Sequence, residues 1–233
     1  MAAHLEKGEL SSHVPIVQSL FHPAWWCRNP HLQTLWPLAV KPPHPELSRE
    51  RIELPDGDFI DLDWTTNTND PVVLVIHGLE GSAHSHYARR ILHALPTQGF
   101  RGVLMHFRGS SGEPNRLPRA YHSGETGDLN YIYDLLSDRR HSMRAIIAYS
   151  LGGNVLLKWL GERRKDLPKL KAVAISVPFV LSELADHMNK GFPRVYQRHL
   201  VRSLHKTFEA KSRIVELHLT TAQIDKLRSF WEF

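Results

Sequence analysis

Residues 145–154 read AIIAYSLGGN, an apolar run that ends at Ser150 and passes into a glycine pair. A short continuous apolar run predicts a strand buried on both faces. Ser150 then falls at a sharp strand-to-helix turn, with small residues, Ala148 and Gly152, two places before and after it. Small flanks let strand and helix approach while the hydroxyl is held up on a strained turn, the arrangement of a serine nucleophile. The usual pattern is G-x-S-x-G, and Ala148 departs from it while keeping the flank small. A bare A-x-S-x-G is common by chance, so its setting decides its meaning.

Working outward, three more runs of the same kind appear: VVLVI (72–76), GVLMHF (102–107) and AVAISV (172–177). Between the runs lie helix-like stretches at about 84–97, 125–138 and 152–164. Strands alternating with helices imply right-handed crossovers and a parallel sheet covered on both sides. Such sheets place their chemistry at the carboxyl ends of the strands. Upstream, Ile52 and Leu54, the turn signal Pro55-Asp56-Gly57, then Ile60, Leu62 and Trp64 alternate with period two, which predicts a β-hairpin with one buried face. The first 48 residues, rich in Pro, His and Trp, read as an irregular arm or lid that must pack its tryptophans.

The expected organisation is therefore an arm (1–48), an α/β core (49–181) and a helical cap region (182–233). In the last of these, Tyr196, Leu200, Leu204 and Phe208 recur every four residues, and Arg194, Arg198, Arg202 and Lys206 do so two residues out of phase. Two residues are about 200° on a helix, so apolar and basic faces are opposed. A surface helix packed on the core explains this; a lid leaning on an acidic membrane surface or ligand is the sharper reading.

If Ser150 is a nucleophile, the helix after it supplies backbone N–H groups for an oxyanion, and the Leu151 amide is one candidate donor. The second should come from the loop after an earlier strand. VVLVI is followed by His77-Gly78-Leu79-Glu80-Gly81-Ser82, which makes the Leu79 amide the candidate. That loop has neither the Lys-Ser/Thr pair of a P-loop nor G-x-G-x-x-G, so a phosphate cradle is a poor reading. The loop Arg108-Gly109-Ser110-Ser111-Gly112-Glu113-Pro114-Asn115 should form a site wall.

Composition excludes other classes. A formal charge of +5 suits solvated lysines and arginines better than a nucleic-acid site. One cysteine, Cys27, allows no internal disulfide and is read as a buried thiol beside Trp25 and Trp26. The chain begins with a polar stretch containing Glu6, Lys7 and Glu9, unlike a secretory signal, and no run approaches a membrane-spanning length. The default location is the cytoplasm. Among 16 histidines, His84 and His86 face different directions at a helix start, and no H-E-x-x-H or Cys cluster exists, so no metal and no cofactor is expected.

The strings NPHLQT (29–34), ELPDGDFIDLDW (53–64), HGLEGS (77–82), MHFRGSSGEPNR (105–116), YHSGET (121–126), YSLGGN (149–154) and GFPRVYQR (191–198), all in order, closely resemble the YheT-like branch of the α/β hydrolases from about residue 20 onward. The resemblance implies an α/β-hydrolase fold with a mostly parallel, doubly wound sheet and an N-terminal hairpin. It also implies carboxylesterase-type activity on a small-molecule ester, with Ser150 as nucleophile.

In this fold the acid and the histidine follow the serine on loops after later strands. Only 83 residues follow Ser150, with one further strand. His187, His199, His205 and His218 lie in the helical region, and Asp186, Glu216 and Asp225 lack a strand end to present them. The family pattern continues beyond LRSFWEF, so the sheet is expected to be incomplete at its C-terminal side, as in a truncated chain or a short non-catalytic relative. Without its histidine a serine hydroxyl loses its general base and several orders of magnitude of rate, keeping oxyanion-hole assistance. Three functions follow: an ester hydrolase working through an acyl-serine, an acyltransferase using the same serine, and a ligand-binding pseudo-hydrolase.

Overall fold

The computed structural model describes residues 17–40, 42–68, 70–163, 167, 170–217 and 219–233. The polar stretch with Glu6, Lys7 and Glu9, position 164 of the expected helix and His218 lie outside them. The chain separates into two compact units, the first running to Val40.

The first unit is not wholly irregular. It carries a short 3-10 turn (Trp25–Cys27) and α1 (Pro30–Ala39). Asn29 starts this helix as an N-cap, its side chain accepting from the His31 and Leu32 amides at 2.8 and 3.3 Å, with Pro30 in the tolerated first position. Cys27 is buried, as expected, but Trp25 is 81% exposed. Trp26 and Trp36 pack edge-on with each other, ring centroids 4.7 Å apart.

The second unit runs β1 (Leu47–Glu53), β2 (Phe59–Thr65), β3 (Val72–Ile76), α2 (His86–Thr97), β4 (Arg101–Met105), α3 (Gly127–Asp138), β5 (Met143–Tyr149), α4 (Leu151–Arg163), β6 (Lys171–Ile175), α5 (Leu181–Met188), α6 (Pro193–Ser212) and α7 (Thr221–Ile224). The six strands form one sheet in the order β1-β2-β4-β3-β5-β6. β4, β3, β5 and β6 are mutually parallel, and the hairpin pairs antiparallel with β4. This is the expected doubly wound sheet.

Alternation along VVLVI explains its two covers. Val73 and Val75 pack with Ala88, Leu92 and Leu95 of α2, while Val72, Leu74 and Ile76 pack with Leu129 and Ile132 of α3 and Leu156 and Trp159 of α4. Every β3 side chain is buried, each contributing about 1.5–3 kcal/mol of hydrophobic stabilisation. At the other edge β6 is half open, with Val173 44% exposed.

The hairpin corrects one expectation. Ile60, Leu62 and Trp64 face the core as anticipated, but the opposite face of β2 is buried too. Its alternate positions are Asp61 and Asp63, which sit directly across from Arg51 and Arg49 on β1. Each arginine grips its partner's carboxylate through two nitrogens at 2.8 and 2.9 Å. Ser111 Oγ adds 2.6 Å to Asp61, and His106 Nε2 adds 2.8 Å to Asp63. A polar face is buried because every carboxylate on it is paired. Burial alone would raise the pKa of both aspartates; the bonds to Arg51 and Ser111, and to Arg49 and His106, outweigh it and hold both below the usual range.

After β6 the chain is helical over α5, α6 and α7, with turns between them. On α6 the stripe Tyr196, Leu200, Leu204 and Phe208 is half-buried, and Arg194, Arg198, Arg202 and Lys206 are exposed.

Candidate active site

Ser150 sits in the one-residue step between β5 and α4 with φ +50°, a left-handed value that a serine adopts only when its surroundings impose it. The surroundings are close-packed. Its amide donates to the Ile175 carbonyl of β6 at 2.8 Å, and its carbonyl accepts from Gly153 at 2.8 Å. A Cβ at Gly152 would lie 2.4 Å from the His77 carbonyl oxygen, and one at Gly153 would lie 2.5 Å from Val177 Cγ2. The glycine pair is therefore what lets α4 start against β3 and the loop after β6.

The loop 77–82 lies alongside. A Cβ at Gly78 would touch Ser150 Cβ at 3.0 Å, which places this loop against the serine. Among the described residues neither the Leu79 nor the Leu151 amide has a hydrogen-bond acceptor. Three side chains fix the loop. Tyr87 OH accepts from the Gly78 amide at 3.0 Å, and its ring lies 4.4 Å from that of Tyr149 on β5. Tyr121 OH accepts from the Glu80 amide at 2.9 Å and donates to Glu80 Oε1 at 3.1 Å. The Phe107 amide donates to His77 Nε2 at 3.1 Å, so the imidazole proton is on Nδ1, donated to the Gly78 carbonyl at 2.7 Å. Full burial pushes the His77 pKa down to about 3, against the raising effect of that bond, and the ring stays neutral.

Glu80, at φ 53°, joins this loop to the helical region: Ser203 Oγ and Thr207 Oγ1 of α6 each donate to its Oε2 at 2.8 Å. Nothing in the local sequence signals this, because the partners lie 123 and 127 residues away. Tyr87 and Tyr121 were likewise invisible as supports, being ordinary aromatic positions in sequence.

Two cavities open here. Ser150 lines one of about 380 Å³, walled by Leu79, Leu151, Leu184, Met188 and Leu200. The other, about 660 Å³, shares Leu79, Leu151, Leu181 and Phe230 with the first and extends to Arg108, Asn115 and Lys211. Of the loop that follows β4, Arg108, Gly109, Gly112, Pro114 and Asn115 line the larger cavity, and none of them lines the one that holds Ser150. Arg108 is spent on structure, with Asp128 bound at 2.7 and 2.8 Å, Asp56 at 2.7 Å and Asp58 at 3.1 Å. Leu204 and Phe208 of the apolar stripe on α6 also face the larger cavity.

No acid and base are brought to the serine among the described residues. The Ser150 hydroxyl has no hydrogen-bond partner there, and neither His187 nor His199 bonds to it. His205 Nε2 instead bonds the Leu227 carbonyl at 2.7 Å, and Asp186 accepts from Trp231 Nε1 at 2.9 Å.

A doubly wound sheet with a strained serine between strand and helix defines a class, and the comparisons with known proteins agree. Residues 71–211 match the family described as alpha/beta hydrolase fold, and the chain belongs to that family. It is YheT-like within it: 42% identical over 217 residues to the "Putative esterase YheT" of Escherichia coli (strain K12), a match covering 88% of this chain and 63% of that protein. It is also 26% identical over 236 residues to "Phospholipase ABHD3" of Mus musculus, covering 96% of this chain and 57% of that one. The chain thus spans about three-fifths of the length of these relatives. Among solved structures it is similar to the Pyrococcus furiosus esterase Pf2001, with a TM-score of 0.53 and 18% identity over 75% of this chain and 86% of that one, a likeness of fold.

Proposed function

We propose that the chain carries the nucleophile of a carboxylic ester hydrolase. Ser150 Oγ attacks the carbonyl of a small-molecule ester and the Leu79 and Leu151 amides receive the oxyanion; the alcohol leaves this tetrahedral adduct carrying the proton given up by the serine, and water opens the resulting acyl-serine to the acid and free Ser150. One observation carries this reading: a serine at φ +50° lines an apolar cavity together with Leu79 and Leu151, whose backbone amides have no acceptor among the described residues. In this reading the two amides stabilise the charge that develops on the carbonyl oxygen, usually the largest single term in acyl transfer. The apolar walls suit the acyl chain, and the esterase named among the relatives agrees with this choice of bond. In this reading residues 49–181 are the core that holds the nucleophile and both amides, and 182–233 are the helical cap region.

Because no histidine hydrogen-bonds to Ser150 among the described residues, its hydroxyl lacks a general base within them. Turnover of a p-nitrophenyl ester should therefore be slow and should be raised by added imidazole, which can act as the base. The rate in excess of a Ser150→Ala control is the quantity to measure; equality of the two proteins at all imidazole concentrations would sink the hydrolase reading and leave the ligand-binding one. With a primary alcohol present, the acid should remain the main product. A predominance of transferred ester would make the protein an acyltransferase.

A further inference from the structure

A second cleft, of about 310 Å³, shares no lining residue with the cavities beside Ser150. Its walls carry Arg89 of α2, His84 and Ala83 just before that helix, His44, and the Arg49–Asp63 pair of the hairpin. Charge is unevenly satisfied there. Both oxygens of Asp63 are taken by Arg49 and His106, and Arg49 places its remaining nitrogen on the Ser111 carbonyl at 2.7 Å. That part of the wall is neutralised.

Arg89 is different. It is half-buried, and among the described residues no carboxylate lies within ion-pair distance of it. What faces its guanidinium is two imidazole nitrogens, His44 Nε2 and His84 Nδ1, each 3.4 Å away. Arginine only donates, so both rings present lone pairs to it, at the long end of hydrogen-bond range. The fork is held loosely by neutral acceptors where a carboxylate or phosphate would bind in two-point fashion. A histidine ring nitrogen can donate as well as accept, according to its tautomer, and Ala83, a residue of the same wall, has an amide with no acceptor among the described residues.

We propose that this cleft is a binding site for a phosphate-type anion, held by the Arg89 guanidinium with His44 and His84 as flanking donors. Its volume exceeds that of a bare phosphate, leaving room for the organic part of a phosphomonoester. The site stands independently of any role for Ser150.

Isothermal titration of the intact chain with inorganic phosphate, and separately with phenyl phosphate, at constant ionic strength tests this. One-to-one binding with Kd of about 1 mM or tighter is expected for at least one of them, from two or three charge-assisted bonds. Tighter binding of phenyl phosphate identifies a monoester as the ligand; tighter binding of inorganic phosphate identifies the free ion. Arg89→Gln should weaken either by at least about tenfold. Arg90→Gln, a change at the exposed neighbour, should leave it unaltered. Should Arg89→Gln fail to fold, the His44→Gln/His84→Gln double variant carries the same expectation of weakened binding. Absence of saturable binding of both probes, or equal weakening by Arg90→Gln, overturns the proposal.

Discussion

An added Cβ at Gly152 would stand 2.4 Å from a backbone oxygen, that of His77, whereas one at Gly161 on the same helix meets nothing within 4 Å. The two glycines should therefore respond oppositely. Gly152→Ala is expected to cost about 1–3 kcal/mol through overpacking, and Gly161→Ala to gain about 0.5–1 kcal/mol by removing a helix glycine; urea denaturation of both gives the signs. His77 makes a second residue-level prediction. Its folded pKa is about 3 and its unfolded value near 6.5, so between these the unfolded chain binds a proton that the native one refuses. Stability then falls as pH drops from about 6.5, by up to about 1.4 kcal/mol per unit from this one group. The paired aspartates act lower still: their pKa values are depressed, so their contribution is present above about pH 4 and is lost below it. Denaturation at pH 7 and pH 5 should show the slope, and His77→Gln should flatten it.

At the scale of elements, the anchoring of the β1–β2 turn matters most. Arg108 holds Asp56 and Asp58 of the hairpin and its turn to Asp128 of α3, tying the antiparallel part of the sheet to the helix layer. Burial would lower its pKa, but the bonds to Asp128 and Asp56 more than compensate and leave it raised. Arg108→Met strands buried carboxylates and should cost about 3–5 kcal/mol. Arg108→Lys should recover little of this, since an ammonium cannot replace the two-point grip on Asp128. Equal stability of wild type and Arg108→Met in guanidinium titration would contradict that account. The hairpin's apolar side was legible from period-two alternation because that signal is local. Its tie to the helix layer was not, since Arg108 meets Asp56 and Asp128 across 52 and 20 residues. The strands, helices and serine turn were legible for the same reason that the first was: each is fixed by spacing within about ten residues. The Glu80 link to α6 and the pairing of Trp26 with Trp36 depend on tertiary neighbours that spacing does not name.

For the whole molecule, sheet order brings three separate stretches to one place. The loop after β3 carries Leu79, the step after β5 carries Ser150 and Leu151, and α5 and α6 roof the cavities with Leu181, Leu184 and Leu200. Parallel strands with right-handed crossovers put the ends of β3 and β5 side by side, so residues 71 apart in sequence become neighbours around one cavity. The proposed role of Ser150 as the nucleophile of that cavity is tested most directly by covalent labelling. Incubation of the folded chain with an alkyl fluorophosphonate, followed by intact mass and peptide mapping, should show a single adduct on Ser150 that is absent from Ser150→Ala. A cooperatively folded wild-type sample that takes up no probe, or takes it up equally with Ser150 replaced, would contradict the account.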